Sequence, residues 1–220
     1  MSKKLLRVLI EDLVVFSNGD VPGEAPAQDG DLENNAVFAS LRYPRSGVPE
    51  AVSVVQIDLK NNQSPETLNV NDFFSDSGLF KEEVQDETIL KIKVTNRDSR
   101  SRLAEIVGKA LGGVLGLATG GFGKVAGLVA GFGIDALTKS IASEADQQFF
   151  VIGAIEPLRL KVDEIPANEP LRVNRPLIIP VEIRKRFFVL QDGQTVQREL
   201  VLRKGQHNGN IILRITAESL

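Results

Sequence analysis

The sequence of 220 residues contains no cysteine, no tryptophan and a single histidine, His207. The absence of cysteine excludes disulfides, thiolate zinc sites and cysteine nucleophiles, and one histidine excludes a multi-histidine zinc centre. A Ser-His-Asp triad would have to use His207, which follows a Lys-Gly-Gln turn sequence without a nucleophile nearby. The 26 basic residues do not exceed the 29 acidic ones, and the net charge of −3 argues against strong nonspecific nucleic-acid binding.

The chain also lacks a charge-free stretch of about 20 residues, the length that a helix needs to cross a bilayer. Charged residues at positions 7, 11 and 12 interrupt the apolar N-terminal run, so we expect no signal peptide and a cytoplasmic location. The Gly123-Lys124 pair is followed by Val125 and not by the hydroxyl residue of a phosphate-binding P-loop. These absences predict a protein that is not an enzyme and has no cofactor.

Most of the chain alternates apolar and polar residues, which is the pattern of half-buried β-strands. In residues 89–96, Leu90, Ile92 and Val94 face one way and the lysines between them face the other. The same period predicts strands at 5–16, 37–43, 52–59, 149–153, 158–162, 178–190, 195–204 and 210–216. Asp192-Gly193 is a strong hairpin signal. We expect a single mainly β domain, an antiparallel β-sandwich built from residues 1–101 and 143–220.

Residues 102–142 break this pattern because they contain ten of the 19 glycines. Seven of these glycines fall into two runs with a spacing of four: Gly108, Gly112, Gly116 and Gly120, then Gly123, Gly127 and Gly131. In a helix, this spacing places each run on one face, where a second backbone can approach closely. The sequence therefore predicts an inserted helical hairpin, with helices at 102–118 and 122–142 packed through a glycine zipper.

Such helices would be unstable alone in water, since ten glycines cost about 8–10 kcal/mol relative to alanine. Between residues 110 and 134 the only polar side chains are Thr119 and Lys124. We expect lipid or a partner subunit to cover the apolar side chains of Leu111, Val114, Leu115, Phe122, Val125, Leu128, Val129 and Phe132. Three interpretations remain open: a local cover on the sandwich, membrane contact with or without assembly into a pore, and a subunit contact. The scarcity of charge favours the membrane.

The order of these features resembles that of a C2 domain, an eight-stranded sandwich that many proteins use to meet membranes. The resemblance is carried by LLRVLIEDLVVFSNGDVPG (5–23), NAVFASLRYP (35–44), ILKIKVTNRD (89–98), QQFFVIGAIEPLRL (147–160) and GNIILRITAE (209–218). It extends over most of the chain and rests on the order of the strands. It implies that residues 102–142 occupy the third apical loop, which points at lipid in that family.

The same resemblance implies a candidate Ca²⁺ site. Asn96 and Asp98 match the Asp-x-Asp pair of the family, with an amide in place of one carboxylate, and Asp146 lies on the far side of the loop. Asp20, Asp29 or Asp31 would represent the first loop. Calcium prefers six to eight oxygens, several of them anionic, so the amide weakens the match. The alternative is that Asn96 and Asp98 only end a strand in a turn.

The basic run Arg184-Lys185-Arg186 precedes two phenylalanines, but in a strand these residues alternate between the faces, so we expect no nucleic-acid site. We expect a non-enzymatic protein that contacts or inserts into membrane lipid through residues 102–142, and we expect it to form a homo-oligomer. The alternative is a structural or interaction subunit of a larger assembly. Either way, we expect it to lie in the cytoplasm, peripheral to a membrane or within the assembly.

Overall fold

The computed structural model describes residues 3–20, 35–42, 50–73, 75–97, 118–119, 124–129, 135, 138, 149–167 and 169–220. The protein is mainly β, as the alternation predicted. The strands are β1 (Lys4–Val15), β2 (Asn35–Arg42), β3 (Glu50–Ile57), β4 (Gly78–Val84), β5 (Glu87–Arg97), β6 (Ala118–Thr119), β7 (Lys124–Val129), β8 (Phe149–Ala154), β9 (Leu158–Lys161), β10 (Leu171–Ile178), β11 (Ile183–Gln191), β12 (Gln194–Leu202) and β13 (His207–Ser219). A 3₁₀ turn, Val162–Glu164, follows β9.

Eleven strands form one antiparallel sheet in the order β4-β1-β13-β10-β8-β5-β2-β3-β7-β6, with β9 paired to β5. The sheet curls until β4 contacts β3, so that it is nearly closed and barrel-like. The predicted antiparallel β class is confirmed, but the sequence did not reveal that a single sheet curls around the core. A curled sheet buries one face of each strand just as two packed sheets do, so alternation alone does not distinguish the two arrangements.

Alternating side chains fill the interior of this sheet. Leu90, Ile92 and Val94 of β5 are buried in the main core, as their shared parity predicted. In β1 the buried positions change parity, from Leu6, Val8 and Ile10 to Leu13 and Val15. The register against β13 shifts between Ile10 and Asp12, so a β-bulge at this point turns the second half of the strand and returns its apolar residues to the core.

The β11–β12 hairpin is a separate two-stranded ribbon. Gln191 pairs with Gln194 across the predicted Asp192-Gly193 turn, and both turn residues have positive φ, 51° and 75°. These angles are typical of the tight turns whose twist matches paired strands, so the predicted hairpin is confirmed.

Besides β6 and β7, which lie in the segment predicted to be a helical hairpin, two strands were not predicted. One is β4, and the other is β10, which contains a proline, a residue that is rare inside strands. Pro176 lies inside β10, next to a register shift between Pro176 and Ile178 in its pairing with β13. A bulge tolerates a residue without a backbone N–H, which explains why this proline does not end the strand.

The predicted helical hairpin is not supported. Two strands lie where the helices were predicted: β6 at residues 118–119 and β7 at residues 124–129. The strand β7 pairs with β3, from Glu50 opposite Val129 to Val55 opposite Lys124. Of the other described residues in the segment, Asp135 and Thr138 have helical conformation, but no α-helix is defined within the described part of the chain. Glycines disfavour a helix, and the edge of β3 offers hydrogen-bond partners to an extended chain.

Candidate functional site

Two long segments leave the sheet at the same end. The chain leaves β1 through residues 16–20 and enters β2 at Asn35, which pairs with Asn96 near the end of β5. The glycine-rich segment follows β5, and the chain returns in β8 at Phe149, opposite Arg97. Asn35 Nδ2 donates hydrogen bonds to the carbonyl oxygens of Asn18 (2.9 Å) and Thr95 (3.1 Å), which joins the start of one segment to the start of the other.

A buried lysine lies at the centre of this end. Lys185 of β11 is 7% exposed, and its Nζ donates to the carbonyl oxygen of Gly19 at 2.7 Å and to Oδ1 of Asn96 at 2.9 Å. The same Nζ lies 4.8 Å from the centre of the Phe150 ring, a cation–π distance. Together with Asp20, these residues form what we call the Lys185 cluster.

The strand period of β11 brings Lys185 to this position. Ile183 and Lys185 face inward and are buried, whereas Arg184 and Arg186 are exposed and pair with Glu199. The prediction that this basic run divides between two faces is confirmed. The contacts of the inward lysine with Gly19 and Asn96 could not be predicted, because those residues are distant in the chain.

The amide of Asn96 has a defined orientation within the cluster. Its Nδ2 donates to Asp20 Oδ1 at 2.8 Å, and its Oδ1 accepts from Lys185. A flipped amide would place its NH₂ against the ammonium and its oxygen against the carboxylate, so this orientation is the one that satisfies both neighbours. Asp20 Oδ2 accepts a further hydrogen bond from Asn18 Nδ2 at 2.6 Å.

Gly19 permits the close approach of this loop to β5. Its φ is +91°, and a Cβ built on it would lie 2.8 Å from Cβ and from Cγ of Asn96. A side chain at position 19 would therefore be strained and would also collide with Asn96.

A second buried amide fixes the loop to the opposite strands. Asn208 of β13 donates from Nδ2 to the carbonyl oxygens of Ser17 (2.8 Å) and Ile152 (2.9 Å), and its Oδ1 accepts from the Ser17 backbone N–H. His207, the neighbouring residue, packs edge-on against Phe16, with ring centroids 5.2 Å apart.

The candidate calcium residues are only partly described. Asn96 is fully buried, and its amide oxygen already accepts the Lys185 hydrogen bond, whereas Asp98 and Asp146 lie outside the described residues. Of the first-loop candidates, Asp20 is described, and Asp29 and Asp31 are not. Among the described residues, no three His, Cys, Asp or Glu side chains form a group that could hold a metal ion. The calcium site remains a prediction.

The predicted contact residues of the glycine-rich segment are also only partly described. Val125, Gly127, Leu128 and Val129 belong to β7 and pair with β3. The other predicted contact and helix-packing residues lie outside the described part: Leu111, Val114, Leu115, Phe122, Phe132, Gly108, Gly112, Gly116, Gly120, Gly123 and Gly131.

A second attachment of this segment lies on the outer face of β5. Asp135 accepts from Lys91 and from Lys93, each at 2.8 Å, and Lys93 also donates to Thr138 Oγ1 at 3.1 Å. The hydrogen bonds from Lys91 and then Lys93 lower the pKa of Asp135 to about 2. Sequence reasoning missed this contact, although outward lysines at 91 and 93 and an isolated acid at 135 could have suggested it.

The outer face beside this attachment is buried. Phe38 pairs with Lys93 across β2 and β5, and Val52 and Val54 lie on the same side of β3. All three are at most 2% exposed, although none belongs to the main core inside the sheet. Asp135 and Thr138 therefore lie next to a covered apolar layer on the outside of the sheet.

No protein-family model matches the chain, and no curated protein is significantly similar to it. Among the described residues, no helix is long and apolar enough to cross a membrane.

Proposed function

We propose that this protein is a non-enzymatic membrane-associating protein and that residues 102–142 provide its lipid contact. The observation that carries the proposal is the composition of residues 110–134, which contain only Thr119 and Lys124 as polar side chains. An exposed segment of this composition is costly in water and favourable at a lipid surface.

The described attachments suggest how the segment could leave the monomer. Its described residues are attached at β7, which pairs with β3 near the edge of the sheet, and at Asp135, which contacts two lysines on the outer face of β5. The described residues of the main core all come from other parts of the chain. Among the contacts of the described residues, release would break the β3–β7 pairing, the ion pairs of Asp135 and the hydrogen bond from Lys93 to Thr138, and none of these lies in the main core.

The resemblance to C2 domains belongs to this proposal. It would place the lipid-facing end of the molecule where the loop at 16–20 lies next to the end of β5. The shared antiparallel β class supports the comparison, and the nearly closed sheet distinguishes this chain from a two-sheet sandwich.

Vesicle flotation with the full chain tests the proposal. We expect the protein to float with vesicles of phosphatidylcholine and phosphatidylserine. We expect Leu115→Lys to reduce the floated fraction about tenfold, because a lysine in lipid costs a few kcal/mol. Leu220→Lys is the matched control, since Leu220 is 67% exposed at the C-terminus. An unchanged floated fraction for Leu115→Lys would contradict the assignment of the lipid contact to this segment.

The second candidate function is that of a subunit in a larger assembly. One observation favours it: within the described chain, β6 pairs with only two residues of β7, and β7 lies close to the edge of the sheet. An open strand edge can pair with a second copy. Light scattering that gives a defined oligomer, together with no flotation at any lipid composition, would favour this candidate.

A further inference from the structure

Four positions of the chain join an Asn or Asp to a following glycine: Asn18-Gly19, Asp29-Gly30, Asp192-Gly193 and Asn208-Gly209. At such a pair the glycine amide nitrogen can attack the side-chain carbonyl carbon of its neighbour, because no Cβ shields the nitrogen. An Asn reacts faster than an Asp of equal freedom, because a carboxylate resists attack by a nucleophile. Asp29-Gly30 lies outside the described residues, and the structure distinguishes the other three pairs.

The Asn18-Gly19 pair is held by several hydrogen bonds. Asn18 Nδ2 donates to Asp20 Oδ2 at 2.6 Å and to the carbonyl oxygen of Leu59 at 2.8 Å. Asn18 Oδ1 accepts from the Asp20 backbone N–H at 3.1 Å, and the Gly19 N–H donates to Ser17 Oγ at 3.4 Å. Attack by the Gly19 nitrogen would require these contacts to open.

The Asn208-Gly209 pair is held still more firmly. The buried Asn208 side chain bridges Ser17 and Ile152. Gly209 lies within β13, and a Cβ built on it would overlap the carbonyl oxygen of Val14. The main chain at this pair therefore has no room to change its conformation in the folded protein.

Asp192-Gly193 lies at the tip of the β11–β12 ribbon, and both residues are exposed. No hydrogen bond of the described residues involves the Asp192 carboxylate or the Gly193 N–H. A Cβ built on Gly193 would have no neighbour within 4 Å, so there is open space beside the reacting atoms. The ribbon has only two strands, and the tip of such a hairpin opens at little cost.

We propose that Asp192 is a site of spontaneous modification to isoaspartate. The Gly193 amide nitrogen attacks Cγ of the protonated Asp192 carboxyl group and forms a bond to it, and the hydroxyl group leaves with the amide proton as water. Water then opens the resulting succinimide ring. Cleavage of the bond from nitrogen to Cγ restores aspartate, and cleavage of the bond from nitrogen to the main-chain carbonyl carbon gives isoaspartate. The reaction is independent of the proposed lipid contact.

The modification changes the tip of the ribbon. Isoaspartate adds one methylene group to the main chain between Gln191 and Gln194, which pair across the two-residue turn. A tight hairpin turn depends on the length and the angles of these two residues, so the pairs next to the tip are expected to open. The other end of the ribbon, where Ile183 pairs with Leu202, is buried and stays in place.

The test follows the three pairs in the full chain during incubation at 37 °C. Trypsin places them in separate peptides, residues 8–42, 187–198 and 205–214, which are resolved by chromatography and mass spectrometry. At mildly acidic pH, where more of the carboxyl group is protonated, we expect folded wild type to accumulate isoaspartate at position 192. Its absence there, under conditions in which urea-unfolded protein forms it, would overturn the proposal.

The Asp192→Asn variant removes the chemical difference between the pairs, because it places the same Asn-Gly sequence at all three positions. At mildly basic pH, we expect the folded variant to lose ammonia at position 192 at least about tenfold faster than at Asn18 or Asn208, since these two must first open. In urea the three rates should agree within about threefold. Deamidation of Asn18 or Asn208 in the folded variant as fast as at position 192 would overturn the proposal.

Discussion

Lys185 donates a hydrogen bond of 2.9 Å to the side-chain oxygen of Asn96, a residue 89 positions away in the chain. This contact connects the separate β11–β12 ribbon to the end of β5, from which the glycine-rich segment departs. Gly19 accepts a second hydrogen bond from the same ammonium group, so that one buried charge holds three parts of the chain together.

The first prediction concerns Gly19. Gly19→Ala should lower the free energy of unfolding by about 2–4 kcal/mol, because it combines a strained positive φ with a clash against Asn96. Gly205→Ala is the control: Gly205 also has positive φ, +81°, but a Cβ there would have no neighbour within 4 Å. It should cost about 1 kcal/mol. Urea unfolding measures both, and equal losses would contradict the close packing of Gly19 on Asn96.

The second prediction concerns Asn208, which is fully buried and bridges Ser17 to Ile152. Asn208→Ala should lower the free energy of unfolding by about 2–4 kcal/mol, because buried backbone groups lose their partners. Asn174→Ala, at an exposed position of β10, should change it by less than about 0.5 kcal/mol. Urea unfolding measures both variants. Coinciding curves for Asn208→Ala and Asn174→Ala would contradict the bridge from Asn208 to Ser17 and Ile152.

The third prediction concerns the ionic contact of Asp135 with Lys91 and Lys93. Because the folded state lowers the pKa of Asp135 from 3.8 to about 2, the contact stabilises the fold above pH 4. This contribution is lost as the pH falls from 4 through about 2. Asp135→Asn should therefore unfold at a lower temperature than wild type at neutral pH, and the difference should vanish near pH 2.

The control for this experiment is Asp192→Asn, at the exposed tip of the β11–β12 hairpin. It removes one carboxylate from an exposed turn and should change the midpoint at neutral pH by less than Asp135→Asn does. A difference between wild type and Asp135→Asn that disappears already between pH 6 and 5 would contradict the lowered pKa. The same reasoning predicts that mildly acidic conditions do not release the segment.

The sequence predicted the features that depend on local pattern. The alternation in β5 identified its buried residues, and Asp192-Gly193 identified the hairpin turn. The strand β10 was not predicted because it contains Pro176. The bulge that accommodates this proline depends on the pairing with β13, which is a tertiary feature. The closure of the sheet depends on how strands that are distant in the chain curl and pair. The alternation of apolar and polar residues within a strand does not contain this information.

The glycine-rich segment shows a different limitation. A spacing of four between glycines matches a helical face, but the described residues 124–129 form a strand because the edge of β3 is available as a partner. Tertiary pairing outweighed the local pattern. In the candidate site, the resemblance to C2 domains indicated Asn96 as a calcium ligand, which stays a prediction, whereas its contact with Lys185 could not be found without the fold.

A reversible lock on the glycine-rich segment tests the proposed lipid contact most directly. Val54 of β3 lies opposite Val125 of β7, and antiparallel neighbours are close enough for a disulfide. The chain has no cysteine of its own, so Val54→Cys with Val125→Cys would create the only pair. Each single variant controls for the substitutions.

Vesicle flotation is then compared for the oxidised and the reduced double variant. If the segment must leave β3 to reach lipid, the reduced protein floats with phosphatidylserine-containing vesicles and the oxidised protein stays in the soluble fraction. Flotation of both forms to the same extent, or of neither form, would contradict the account.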